Sequence, residues 1–191
     1  MLIKLAVLFS GNGSNLENIL TKLHRKNIGH NNFEVVLCLC NNPSAYGIKR
    51  AAKFGLETIV IEHGAFLNRQ NFDQVLVQEI QKHKADLTIL AGFMRILSPI
   101  FTQNIKAINL HPSLLPLFKG ANALKESFQS DMKIAGVTVH WVNEELDGGA
   151  IISQKAFEKK GLSYKEFEEK IHELEYQILP QTIIELFENG S

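Results

Sequence analysis
Residues 2–20 read LIKLAVLFSGNGSNLENIL. Leu2 to Phe9 is a short apolar run, interrupted by Lys4, that fits a buried first strand. SGNGSN breaks it, and Leu16, Ile19, Leu20 and Leu23 then recur at helical spacing. A strand, a glycine-rich turn and a helix open a β–α unit, and the alternation continues downstream. Phe33–Cys40 reads as a strand, Ala45–Phe54 as a helix, Glu57–Ile61 as a strand and Asn68–Lys84 as a helix on an apolar stripe of Phe72, Val75, Leu76 and Ile80. Asp86–Ala91 and Ala107–Leu110 are further strand runs. This order predicts an α/β fold: a mostly parallel, Rossmann-like sheet with helices on both faces. The right-handed crossover rule extends the Rossmann-like half over residues 1–110.

The second half, 111–191, changes character. Gly136–Val142 and Ala150–Phe157 are strand runs separated by NEELDGG. Phe167, Ile171, Leu174, Ile178 and Ile183 mark a long amphipathic C-terminal helix. Repeats, low-complexity tracts and Gly/Ser/Pro-rich linkers are absent, so 1–191 is expected to form one domain.

With 191 residues and 45% hydrophobic content, the chain can bury a sizeable core. Twenty basic and twenty acidic side chains cancel. This leaves no basic field for nucleic acid or an anionic membrane, and points to small-molecule substrates. The first apolar run is too short and wrongly flanked for a secretory signal. No stretch reaches the roughly 18 apolar residues of a membrane span. Cys38 and Cys40, in VVLCLC, share one strand face and read as buried thiols. A disulfide or metal role is not expected, and the location is expected to be cytoplasmic.

Two regions carry chemistry. In SGNGSNLE, Gly11 and Gly13 permit left-handed backbone and close ligand approach. Ser14 and Glu17 have the spacing of a capping box. Free amides and the positive dipole end at a helix start favour an anion. A dinucleotide fingerprint would need glycine where Leu16 stands, and a P-loop would need a lysine. The turn therefore suits one phosphate, although a plain strand-to-helix turn would look the same.

The other region is INLHPSLLP, Ile108–Pro116. Asn109 and His111 lie two apart on one face, His111 just beyond a strand's carboxyl end, where Pro112 ends the ladder. An asparagine amide can donate to a developing oxyanion, and a histidine can exchange a proton. An ordinary strand end with a half-exposed histidine fits equally well at this point. His140 shares a face with Thr138 in GVTVHWV, as a core or a site-supporting histidine. Asp147 lies in LDGG, either as turn chemistry or as a carboxylate placed to hold His111. His24, His30, His63 and His83 read as surface residues without metal-ligand spacing.

SGNGSNL, AGFMRILSP with INLHPSLLP, and GVTVHWVNEELDGG together resemble the folate-dependent formyltransferases across nearly the whole chain. SGNGSN narrows the resemblance to the phosphoribosylglycinamide formyltransferase branch. That resemblance implies a formyltransferase fold and transfer of a formyl group from 10-formyltetrahydrofolate, a co-substrate, to the amine of glycinamide ribonucleotide. It implies no metal. Gly13, Ser14 and Asn15 would bind the ribonucleotide phosphate, Gly11 and Asn12 would shape the loop, and Glu175 would contact the ribose. Met94, Arg95, Ile96 and Leu97 would form the pterin pocket, with Asn109 beside it and Arg69 on the folate side. Asn109, His111 and Asp147 would be catalytic, with His140 beside them. The segment after SLLP, LFKGANALKES, departs from members that carry histidines there.

The rivals are a 10-formyltetrahydrofolate hydrolase, a methionyl-tRNA formyltransferase and a non-catalytic nucleotide-phosphate module. The first two are disfavoured by the expected lack of a regulatory or tRNA-binding domain. The third leaves Asn109, His111 and Asp147 without purpose. A monomer or homodimer is expected.

Overall fold
β1 (Leu2–Phe9) sits inside a mixed sheet because both of its faces are covered. Ile3, Leu5, Val7 and Phe9 pack on one side, Ala6 and Leu8 on the other. A computed structural model describes residues 1–188. β1 leads into α1 (Ser14–Lys22), β2 (Lys26–Ile28), β3 (Asn31–Cys40), α2 (Gly47–Ala52) and β4 (Thr58–Val60). After a 3-10 turn at His63–Ala65 come α3 (Arg69–Lys82), β5 (Leu87–Leu90), α4 (Pro99–Thr102) and β6 (Ala107–His111). α5 (Ala123–Gln129), β7 (Ile134–Trp141), β8 (Ile151–Glu158) and α6 (Tyr164–Glu188) complete the chain.

The strand order is β2-β3-β1-β5-β6-β7-β8, with β4 also pairing β3. β4, β3, β1, β5 and β6 run parallel, whereas β2, β7 and β8 join antiparallel. α1 and α6 cover one face and α3 and α4 the other, giving the α/β, Rossmann-like sheet expected from the alternation. The chain leaves β1 towards β3 on one side, while β5 pairs on the other. That reversal opens a crevice at the strands' carboxyl ends, where such sheets bind ligands.

Several local expectations change. β3 carries a bulge: Leu5 pairs Val35, but Ala6 pairs Leu37, skipping Val36. The slip reverses side-chain parity, so Phe33, Val35, Cys38 and Cys40 all face the same core. Burial there pushes the Cys38 thiol up to about 12, which makes it inert near neutral pH. β2, α4 and α5 carry too few residues to show a period in sequence. Ser14 and Glu17 form no capping box. The cap of α1 is Gly13, in left-handed conformation and without a side-chain cap bond, and Glu17 instead pairs with Arg50 and Lys53. The S-x-x-E pattern does close at α6, where Glu166 accepts from Ser163 N–H at 2.8 Å and Ser163 Oγ from Glu166 N–H at 3.3 Å.

α6 contains Pro180, which has no N–H for the carbonyl of Tyr176. That carbonyl instead accepts from Asn18 Nδ2 at 3.0 Å and Lys22 Nζ at 2.7 Å on α1. The proline thus turns a helical defect into the bond that docks α6 on α1. His24 corrects the surface reading: it is 7% exposed, and its Nδ1 accepts from Val35 N–H at 3.1 Å. His30 and His63 are exposed, as expected, and His83 is half-buried.

Candidate active site
Three loops meet at the carboxyl edge of the parallel strands. The turn after β1 is held open by two glycines placed back to back. Gly13 has φ 71°, and a Cβ there would lie 2.5 Å from Gly47 Cα. A Cβ on Gly47 would in turn strike the Phe9 ring at 2.4 Å. Gly47 N–H donates to the carbonyl of Gly11 at 3.1 Å, so α2 braces the turn. The amides of Ser14 to Leu16 precede the first intrahelical bond, Glu17 N–H to the Gly13 carbonyl at 2.9 Å, and as the open donors of a helix start they suit an anion. Arg50, which sequence reasoning missed, lies here too. Its Nε donates to the Asn12 carbonyl at 2.9 Å and its Nη2 to Asn12 Oδ1 at 3.3 Å, bringing a cation to a turn with no basic residue.

Glu175 arrives from α6, 160 positions away in sequence, and accepts from Asn15 Nδ2 at 3.1 Å. It is 6% exposed. His172, not weighed in the sequence, donates its Nδ1 proton to the same carboxylate at 2.9 Å. The Glu175 hydrogen bond holds the His172 imidazole above its usual range, against the opposing effect of burial. The i, i+3 spacing of His172 and Glu175 on one helix was the available signal.

The catalytic candidates come from β6, β7 and the LDGG loop. Antiparallel pairing sets Asn109 opposite His140 and His111 opposite Thr138. Asp147 closes the group from the β7–β8 connection in left-handed conformation, φ 50°. Gly149 permits this: a Cβ there would lie 1.6 Å from the Trp141 carbonyl oxygen. A register shift at His140 and a Trp141 N–H bond to Ala150 at 2.9 Å fix the loop against β7.

Asp147 Oδ1 accepts from Asn109 Nδ2 at 3.3 Å, and Oδ2 from Gly120 N–H at 2.8 Å. His111 Nδ1 lies 3.5 Å from Oδ2, and His140 Nε2 3.7 Å from Oδ1. Burial opposes ionisation of Asp147, but the donors around it, the Gly120 N–H among them, and the field of the two imidazoles when they are protonated hold the carboxyl below the usual range. Gly120 belongs to the departing segment LFKGANALKES, and its donor is a backbone group no sequence pattern could flag.

Hydrogen-bond geometry distinguishes the two rings. His140 Nδ1 donates to the Trp141 carbonyl at 2.9 Å, so Nε2 is left to accept from Asn109 Nδ2 at 3.1 Å. His111 Nε2 donates to the Phe118 carbonyl at 2.8 Å, while Nδ1 faces the carboxylate. Two acceptors, the Phe118 carbonyl and the Asp147 carboxylate, flank the His111 ring. Both amide hydrogens of Asn109 are engaged, one by His140 and one by Asp147. The Pro112–Gly120 loop is itself tied down: Ser113 Oγ donates to Leu117 O, and Thr138 Oγ1 donates to Ser113 O and accepts from Leu115 N–H.

A cavity of about 90 Å³ opens beside this group, lined among others by Arg95, Ile96, Leu97, Asn109, His140 and Asp147. Met94 and Arg69 do not line it. Met94 is 70% exposed, Arg69 is exposed at the start of α3, and His111, buried, reaches the group through Asp147 without lining the cavity. An open groove of about 460 Å³ between α1 and α6 is larger but shares no residue with this site. Among the described residues no cluster of His, Cys, Asp and Glu could hold a metal.

A phosphate-ready turn, a buried Asn–His–Asp group and an adjoining cleft on one sheet edge define a group-transfer enzyme. Residues 3–183 match the family described as formyl transferase, and the chain belongs to that family. The phosphoribosylglycinamide formyltransferase of Bacillus subtilis is 38% identical over 186 residues, 96% of this chain and 94% of that one. The crystal structure of phosphoribosylglycinamide formyltransferase from Campylobacter jejuni superposes with a TM-score of 0.97 at 70% identity, covering 98% of each chain. A human trifunctional purine biosynthetic protein, adenosine-3, is 36% identical over 98% of this chain, which spans 19% of that longer protein.

Proposed function
We propose that this enzyme transfers the formyl group of 10-formyltetrahydrofolate to the amine of glycinamide ribonucleotide. The observation that carries the reading is the convergence of Asn109, His111 and His140 on the Asp147 carboxylate at the wall of the cleft. Its family membership names the group transferred, and the phosphate-ready turn with Glu175 beside it matches a ribonucleotide acceptor.

Amine attack on a formyl carbon places negative charge on the formyl oxygen and positive charge on nitrogen. His111 Nε2 is held by the Phe118 carbonyl, so its Nδ1, 3.5 Å from the Asp147 carboxylate, is the donor that can turn to that oxygen. Asn109 contributes once one of its amide hydrogens leaves Asp147 or His140. His140, donating through Nδ1, keeps Nε2 as the acceptor that orients the Asn109 amide. Asp147 ionises readily and takes the amine proton, passing it towards the folate nitrogen that leaves. Arg95, Ile96 and Leu97 line the donor side, and Gly13, Ser14 and Asn15 hold the phosphate. Small-molecule substrates suffice, and no helix among the described residues is long and apolar enough to cross a membrane. The buried, unpaired thiols of Cys38 and Cys40 suit a reducing, cytoplasmic setting.

The test mixes protein, glycinamide ribonucleotide and a 10-formyl folate and follows deformylated folate by absorbance. Turnover that requires the ribonucleotide is expected. Turnover without it identifies a hydrolase, and no turnover identifies a binding module.

A further inference from the structure
We infer that Ser10 is a positioning residue that couples the ribonucleotide turn to the formyl-donor loop, so that each substrate tightens the binding of the other. The inference rests on the functional reading above and adds a residue that reading leaves idle. Ser10 follows Phe9, the last residue of β1, and immediately precedes Gly11. Backbone pairing of β1 with β5 runs on past the strand: Ala91 N–H donates to Leu8 O at 2.9 Å, and Ser10 N–H to Gly92 O at 3.1 Å. Gly92 then turns with φ 75°, which carries the donor loop away from the sheet. At that point the Ser10 side chain takes over from the backbone. Its Oγ accepts the Met94 N–H at 2.8 Å. The Ser10 carbonyl accepts from Asn42 Nδ2 at 3.3 Å, which ties the residue to the loop after β3 as well.

The Met94 amide opens the run Met94–Leu97, three of whose residues line the cleft. The Met94 side chain is 70% exposed and gives no anchorage, so the Ser10 hydroxyl, together with the buried Phe93 ring stacked on Phe72, fixes the loop's entry. On its other side, Ser10 begins the turn whose Gly13 starts α1. A phosphate on the α1 amides orders that turn, and ordering Ser10 removes part of the cost of ordering Met94. Coupling of this kind is reciprocal.

The experiment measures the Kd of tetrahydrofolate, which fills the donor pocket without a formyl group to transfer, by calorimetry with and without saturating glycinamide ribonucleotide. Wild-type protein is expected to bind tetrahydrofolate about fivefold or more tighter in the presence of the ribonucleotide. Ser10→Ala should lower that factor about two- to tenfold, the range set by one neutral hydrogen bond, with ribonucleotide affinity alone within about twofold of wild type. Ser10→Thr keeps the acceptor and should restore the factor, which a merely structural defect would not do. A coupling factor of one in a wild-type enzyme that turns over overturns the inference alone. So does an unchanged factor in Ser10→Ala, or a loss in Ser10→Ala that Ser10→Thr fails to restore. Wild-type protein that binds neither ligand and turns nothing over overturns the functional reading beneath it.

Discussion

Asp147→Asn separates the charge of the central carboxylate from its shape. The side chain is 7% exposed, and its two oxygens accept from Gly120 N–H at 2.8 Å and Asn109 Nδ2 at 3.3 Å. An asparagine can keep one of these bonds. Its amide group then faces another N–H, donor against donor, and His111 Nδ1 loses the carboxylate 3.5 Å away. A hydrogen bond to a charged group is worth about 1.5–3 kcal/mol, and relief of the buried charge returns part of that. We therefore expect a stability loss of about 1–2 kcal/mol, or a few degrees in Tm for a chain of this size. Activity should fall much further. Removing a general base typically costs about 10²–10⁴ in rate, equivalent to about 2.7–5.4 kcal/mol of barrier. Ribonucleotide KM should stay within about twofold, because Gly13–Asn15 lie on a different loop. Initial rates at saturating folate, paired with a melting curve, measure both quantities. A folded Asp147→Asn variant that keeps more than about a tenth of wild-type kcat refutes the assignment of Asp147 as proton acceptor.

Four further outcomes follow from the same geometry. His111→Ala should lower kcat about a hundred- to a thousandfold with little change in ribonucleotide Kd, as expected for loss of an oxyanion donor and measurable by single-turnover kinetics. Gly13→Ala places a Cβ 2.5 Å from Gly47 Cα at φ 71°; we expect weaker ribonucleotide binding and a stability loss of about 1–3 kcal/mol, read by calorimetry and circular dichroism. Asp147 has a depressed folded pKa, so its contribution to stability is complete above the ordinary carboxylate range and is lost as pH falls through the folded value; Asp147→Asn should flatten the acid end of a Tm-against-pH curve. Burial, helped by Arg25 and opposed by Glu34, lowers the pKa of His24. Folding therefore favours its neutral form, and its contribution is complete above the unfolded value near 6.5 and lost as pH falls below it. His24→Gln should remove part of the Tm decline between pH 7 and 5, and an unchanged slope would count against the buried-neutral reading.

The parallel half of the fold was legible because its strands are covered on both faces and its longer helices carry a clear apolar stripe. What stayed hidden depends on contacts between distant segments. The parity switch at Val36 is a relation between β1 and β3, and residues 33–40 alone give no sign of which side Cys38 faces. The S-x-x-E pattern occurs twice, at Ser14–Glu17 and Ser163–Glu166, and only the second caps a helix. The difference lies one residue upstream. Gly13 takes the cap position in left-handed conformation because Gly47 leaves no room for a Cβ, and Glu17 is drawn to Arg50. His24 was misread because its position near a helix end suggested solvent, whereas the return of β3 buries it on Val35.

The site divides along the same line. Asn109, His111, His140 and Asp147 could be singled out as candidates in advance, through their motifs and the family resemblance, although their side-chain chemistry alone left strand-end, core and turn readings open. Their partners could not. Gly120 and Phe118 act through a backbone N–H and a carbonyl; on the phosphate side, His172 beside Glu175 and Arg50 beside Asn12 come from helices whose composition is ordinary. This asymmetry has a consequence for the chemistry. His111 faces two acceptors, the Phe118 carbonyl and the Asp147 carboxylate, and these come from two different loops, one directly after β6 and the other after β7. Gly120 N–H binds the same carboxylate, so the loop after β6 touches both His111 and Asp147. Displacing that loop therefore removes an acceptor from His111 and a donor from Asp147 together. Substitutions in Phe118–Gly120 that move the backbone should mimic loss of both proposed catalytic groups, because the Phe118 and Gly120 contacts are made by backbone atoms.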